Sequence, residues 1–81
     1  MSIQKKLGQN FLNSKSIAKF IVDSATISKN NTVYEIGIGK GILTPYLCEQ
    51  SKNVISVEKD LNLYEESKVK FSKIKNLKII H

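Results

Sequence analysis

Arginine and tryptophan are absent from this chain of 81 residues, and cysteine, proline, methionine and histidine each occur once. A single cysteine excludes an intrachain disulfide and a cysteine metal cluster. Cys48, beside Leu47 in a predicted helix, reads as a small core residue. The one histidine, His81, is the last residue and makes no catalytic constellation by itself. No apolar run exceeds three residues, as at Phe20-Ile21-Val22, so no stretch is expected to span a bilayer. The first twenty residues lack the apolar block of a signal peptide. These absences lead to an expectation of a cytoplasmic chain with no membrane partner.

What is there is ordinary for a globular domain: 41% hydrophobic and 25% charged residues. The length permits one domain at most, and a marginal one if it folds alone. The net charge of +6 comes entirely from lysine among the cations. It is uneven. Residues 1–22 hold four lysines and no acid, residues 23–58 three lysines and four acids, and residues 59–81 six lysines and three acids. Basic flanks suit a polyanionic partner. Solvated helix faces in a lysine-rich composition account for the same excess, since net charge speaks to non-specific binding and not to fold.

Residues 1–12 show no period and read as an arm. Asn13-Ser14 offers an N-cap to a helix over 15–25, with Ile17, Phe20, Ile21 and Ala25 on its apolar face. A polar turn at 28–31 leads to a strand, Thr32 to Ile36, rich in β-branched and aromatic residues. Glycines at 37, 39 and 41 end it. Helical spacing resumes over 42–51, with Pro45 in the first turn, where a missing N–H does little harm. Val54 to Glu58 reads as a second strand. Asp60 caps a third helix reaching about residue 73, with Leu61, Tyr64 and Phe71 inward. Asn76 breaks it, and Leu77 to Ile80 begins a third strand. Strands alternating with helices predict βαβ units and a parallel sheet. Three such strands leave apolar surface uncovered, because parallel sheets are normally buried on both faces.

The informative stretch is Val33-Tyr34-Glu35-Ile36-Gly37-Ile38-Gly39-Lys40-Gly41. A strand that runs through glycines into a helix brings backbone N–H groups to a ligand at the carboxyl end of the sheet. Dinucleotide sites use Gly-x-Gly-x-x-Gly, and the third glycine of that pattern is Ile42 here. The spacing is instead Glu-x-Gly-x-Gly-x-Gly, from Glu35 to Gly41. An acid two residues before the first glycine suits a ligand with a cationic amino-acid end. S-adenosyl-L-methionine has a sulfonium, an ammonium and no phosphate. Glu58, at the tip of the second strand, is placed to accept both hydroxyls of a ribose. That contact serves either ligand and does not choose between them. A purely structural turn, with Glu58 as a solvated strand end, is the bland alternative.

Leu7-Gly8-Gln9-Asn10-Phe11-Leu12, a helix, the run from Val33 to Gly41, and Val57-Glu58 together resemble the ribosomal RNA adenine dimethylase family, in order and at family spacing over the whole chain. The resemblance implies a Rossmann-like class I methyltransferase, α/β in class. Residues 1–31 would be the N-terminal arm and helix, and residues 32–81 the first βαβαβ half of an S-adenosylmethionine-binding domain. It implies that Asn10 and Leu12 close over the donor, Gly37 lines its methionine end, Gly39 and Gly41 shape the bend, Glu58 holds the ribose, and Lys59 adds backbone or stem contact to the adenine. Ribosomal RNA is the implied partner and a monomer the implied state. Lys40 is similar to the macrolide-resistance (Erm) branch, which methylates large-subunit RNA, and Leu7-Gly8 to the small-subunit (KsgA-like) branch. The bend residue is given the greater weight.

The reaction implied is methyl transfer to the exocyclic amine of an adenine extruded from the RNA, with catalysis mainly by orientation. Family members hold that amine with an Asn-Leu/Ile-Pro-Tyr/Phe-type motif. The only proline here is Pro45, so no catalytic residue is assigned, and the 81 residues are expected to be an N-terminal fragment, inactive alone. Two further readings stay open: a fragment of a nicotinamide-dependent dehydrogenase and a non-catalytic basic RNA-binding module.

Overall fold

A computed structural model describes residues 15–81. The expected arm, with Asn10 and Leu12, and the Asn13-Ser14 cap lie outside the described residues. The elements run α1 (Lys15–Ser24), β1 (Thr32–Ile36), α2 (Thr44–Gln50), β2 (Asn53–Val57), α3 (Leu61–Lys70) and β3 (Leu77–Ile80). The strands form one parallel sheet in the order β1-β2-β3.

Register decides which residues meet. Val33, Val54 and Leu77 stand in one row across the sheet, and Glu35, Ser56 and Ile79 in the row two residues on. Alternation puts both rows on the same face. The first row meets the core, which gathers Ala18 and Val22 of α1, Leu43, Leu47 and Cys48 around α2, and Val54 at the centre of the sheet. On the other face Tyr34, Ile36 and Ile80 are exposed.

The buried stripe of α1 differs from the predicted one. Ala18 and Val22 are buried and Ile21 is half-buried, whereas Ile17 and Ala25 are exposed and Phe20 is 69% exposed. At about 100° per residue, Phe20 lies roughly 200° around the axis from Ala18, so both cannot face the core. The small Ala18 lets α1 approach closely, and Phe20 takes the solvent side. Lys19 pairs with Asp23 at 2.8 Å, and Asp23 also accepts from the Gln50 side chain, tying α1 to the end of α2.

α2 begins two residues later than its periodicity suggests. Pro45 is the cause: deeper in a helix its ring would strike the carbonyl four residues back, so the helix must start close to it. α3 opens as predicted, with the Asp60 side chain accepting from the Leu63 N–H at 3.0 Å. It closes at Phe71, earlier than predicted. Its buried residues Ser67 and Phe71 are one turn apart, which turns Leu61 outward at 52% exposure. β2 ends one residue short of Glu58, although the Glu58 N–H still reaches the Ile80 carbonyl at 2.9 Å. Asn76 does not break α3 as expected, because the helix has already closed at Phe71. Its side-chain amide donates to the carbonyl of Cys48 at 2.8 Å and lies within 3.4 Å of those of Ser51 and Lys52, so carbonyls at the end of α2 find partners there.

Candidate nucleoside-binding corner

The bend leaves β1 at its carboxyl end. Gly37, Gly39 and Gly41 have φ values of 78°, 57° and 75°, a left-handed conformation that a side chain strains. Their N–H groups are all engaged within the protein. Gly37 donates to the Val57 carbonyl at 2.7 Å, Gly39 to Glu58 Oε1 at 2.9 Å, and Gly41 to the Ile38 carbonyl at 2.8 Å. This corrects the expectation that the glycine amides greet a ligand. What the bend offers at Gly37 and Gly39 is room: a Cβ on either would meet nothing within 4 Å. Gly41 differs, for a Cβ there would fall on the edge of the Phe71 ring. A pyrophosphate seat depends on free amides at a helix N-terminus. With the three glycine amides engaged inside the protein, and Ile42 where the third glycine of a dinucleotide pattern would stand, the dinucleotide reading loses the glycine-bend contacts.

Glu58 lies against the bend. It is 6% exposed, and its carboxylate bridges two backbone amides, Gly39 to Oε1 at 2.9 Å and Asp60 to Oε2 at 3.0 Å. An ionised carboxylate has about four acceptor positions, so each oxygen retains capacity for a further donor such as a sugar hydroxyl. The acid thus lies against the glycine bend through Gly39.

Glu35 is placed differently from a ligand-facing acid. It is buried, and Oε1 accepts from the Ser56 hydroxyl at 2.6 Å and the Thr44 hydroxyl at 2.9 Å. Ser56 is its register partner on β2, and Thr44 opens α2. Glu35 therefore pins the strand before the bend to the helix after it. Burial raises its pKa above the ordinary 4.5, against the lowering effect of the Ser56 and then the Thr44 hydrogen bonds. Lys59 is exposed, and its carbonyl lies 3.2 Å from His81 Nε2. The His81 ring stacks on Tyr64 with centroids 5.2 Å apart.

The structure thus brings Gly37, Gly39 and Glu58 together, gives Glu35 and Gly41 other partners in Ser56, Thr44 and Phe71, and leaves Lys59 exposed next to Glu58 in the chain. Thr44, Ser56 and Phe71 were not singled out for the site from sequence. Ser56 had one available signal, a polar residue at a strand position facing the same side as an acid. Among the described residues no group of His, Cys, Asp or Glu is arranged to hold a metal ion, and no helix is long and apolar enough to cross a membrane.

A parallel sheet with a glycine bend and an acid one strand over is the arrangement of the Rossmann-like folds, and the solved structures that it resembles narrow the class to methyltransferases. Solved structures agree with this class. The 23S rRNA methyltransferase ErmE superposes with a TM-score of 0.81 at 30% identity, over 88% of this chain and 29% of that one. A dimethyladenosine transferase from Plasmodium falciparum gives 0.75 at 30% identity, over 84% and 26%. The family model for ribosomal RNA adenine dimethylase matches residues 1–81, and the chain belongs to that family. Its members are S-adenosylmethionine-dependent methyltransferases. Curated relatives include a probable ribosomal RNA small subunit methyltransferase A of Methanococcus aeolicus, 52% identical over 63 residues (78% of this chain and 23% of the relative). Another is the ribosomal RNA small subunit methyltransferase A of Clostridium botulinum, 43% identical over 77 residues (95% and 28%). The chain spans less than a third of the length of these relatives. Both are named for the small subunit, so the preference for the macrolide-resistance branch drawn from Lys40 finds no support in them.

Proposed function

We propose that these residues form the donor-binding part of an S-adenosylmethionine-dependent adenine N6 methyltransferase acting on small-subunit ribosomal RNA. The observation that carries the reading is the Glu58 carboxylate, fastened by Gly39 and Asp60 beside a bend whose glycines leave open space. The small-subunit assignment draws on the names of the relatives. The large-subunit alternative draws on ErmE as a structural neighbour and on Lys40.

The donor supplies an activated methyl group when bound. The chain's own residues would hold it. Glu58 accepts from the ribose hydroxyls, a pair of charge-assisted hydrogen bonds. Gly37 and Gly39 let the methionine end approach the backbone. Glu35 and Gly41 keep the bend in shape from behind, and Lys59 borders the adenine end. Asn10 and Leu12 remain assigned as the closing arm on family resemblance. No residue here is assigned to hold the target amine, so the 81 residues alone bind donor and do not turn it over. Ribosomal RNA is the proposed partner, the cytoplasm the proposed location, a monomer the proposed state, and residues 32–81 the proposed first half of the donor domain.

Isothermal calorimetry of the 81-residue chain with S-adenosylmethionine tests the site. Glu58→Gln keeps the side chain's shape and removes its charge. The expected result is at least a tenfold weaker affinity, since hydrogen bonds to a charged acceptor are each worth about 1.5–3 kcal/mol. Equal binding by parent and variant removes Glu58 from the site. NAD binding in preference to the methyl donor would restore the dehydrogenase reading.

A further inference from the structure

We infer that Lys70 and Phe71, where α3 ends, are positioning residues that hold the glycine bend in its donor-receiving shape; the inference rests on the proposed reading of that bend as the donor's seat. Three consecutive residues of the bend are held by side chains from two different elements. Gly39 is held by Glu58, just past β2. The carbonyl of Lys40 accepts from Lys70 Nζ at 2.9 Å. Gly41 has the Phe71 ring where its own side chain would be. The two α3 residues support each other, with Lys70 Nζ 5.3 Å from the Phe71 ring centroid.

Burial separates this arrangement from ordinary core packing. Phe71 is 8% exposed, yet it stands apart from the cluster formed by Ala18, Val22, Leu43, Leu47, Cys48 and Val54. Its ring is covered at the bend. The placement follows from the helix. The Phe71 N–H still bonds the Ser67 carbonyl, while its backbone has left helical geometry, so the ring projects from the last turn and Lys70 lies beside it. A bend with three left-handed glycines is costly to order, because glycine loses the most conformational freedom. Side chains that hold it raise the fraction of chains already shaped to bind, and that fraction scales the apparent affinity.

Amide hydrogen exchange by NMR on the 81-residue chain, followed by calorimetry with S-adenosylmethionine, tests the inference. Lys70→Met is expected to speed exchange at the Gly39 and Gly41 amides on the order of fivefold, the worth of one hydrogen bond. Val54 and Ile55, in the sheet, should be unchanged. Donor affinity should weaken by a similar factor, and Lys70→Arg should restore both. In Phe71→Leu the bend amides should respond more strongly, and Gly41→Ala should be less damaging in that background than in the parent, because the two sites are coupled. Bend amides unmoved in both Lys70→Met and Phe71→Leu overturn the inference, as does a rise of equal size throughout β2. Bend amides that respond while neither parent nor variant binds the donor support the clamp and refute the donor reading.

Discussion

Glu35 is an acid that the fold would rather keep protonated. Burial is the main cause of its raised pKa, and Glu58 adds to it. Folded chains therefore hold this proton to a higher pH than unfolded ones. In the window from the ordinary 4.5 up to the raised value the folded state binds more protons, so stability falls as pH rises through it. Glu35's contribution is greatest below that window and is lost above it. Urea unfolding of Glu35→Gln at a series of pH values should show this segment of the pH dependence flattened, with the parent's other trends kept. Cys48 is the second residue whose setting governs its chemistry. Burial first, and then Glu35, push its thiol up to about 11. The thiolate is the reactive form, so labelling of Cys48 by a thiol reagent at neutral pH should track global unfolding and accelerate in urea. Fast labelling of native chain would contradict the burial described.

At the level of helices and strands, most of the architecture was legible. β-branched residues marked the strands, and the helix read after Asp60 opened where its cap said it would, though it closed at Phe71 and not near residue 73. What was not legible came from tertiary choices. Ala18 carries too little apolar surface to win a periodicity argument over Phe20, yet its size is what allows close packing. The partnership of Glu35 with Ser56 and Thr44 depends on strand register, which one strand's sequence does not state. At the corner, Glu58 and the glycines were legible through their spacing, while the engagement of the glycine amides was not, because it depends on Val57 and Glu58 arriving alongside. Two substitutions probe the elements. Asp60→Ala removes the N-cap of α3 and should cost about 1 kcal/mol. Asn76→Ala leaves carbonyls at the end of α2 without their partner and should cost about 1–3 kcal/mol. Shifts in urea midpoint at constant slope check both.

Among the described residues the helices leave Tyr34, Ile36 and Ile80 on the sheet exposed, and the sequence as a whole is basic, at +6. Lys68, Lys70, Lys73, Lys75 and Lys78 are all exposed, and no acid interrupts residues 68–78. If ribosomal RNA is the partner, binding by electrostatic neutralisation makes the logarithm of affinity fall linearly with the logarithm of salt. Replacing Lys73 and Lys75 by glutamine should lower the magnitude of that slope by about two where both touch phosphates. Filter binding across a salt series measures it, and an unchanged slope places the RNA elsewhere. The donor corner should behave in the opposite way toward anions. Its glycine amides have already been given to Val57, Glu58 and Ile38, so the bend has no free glycine N–H for a pyrophosphate. Donor titrations run in phosphate and in an amine buffer of matched ionic strength should therefore superpose, and adenosine should compete where inorganic pyrophosphate does not. A binding corner that has settled its own polar accounts discriminates by what it declines to attract.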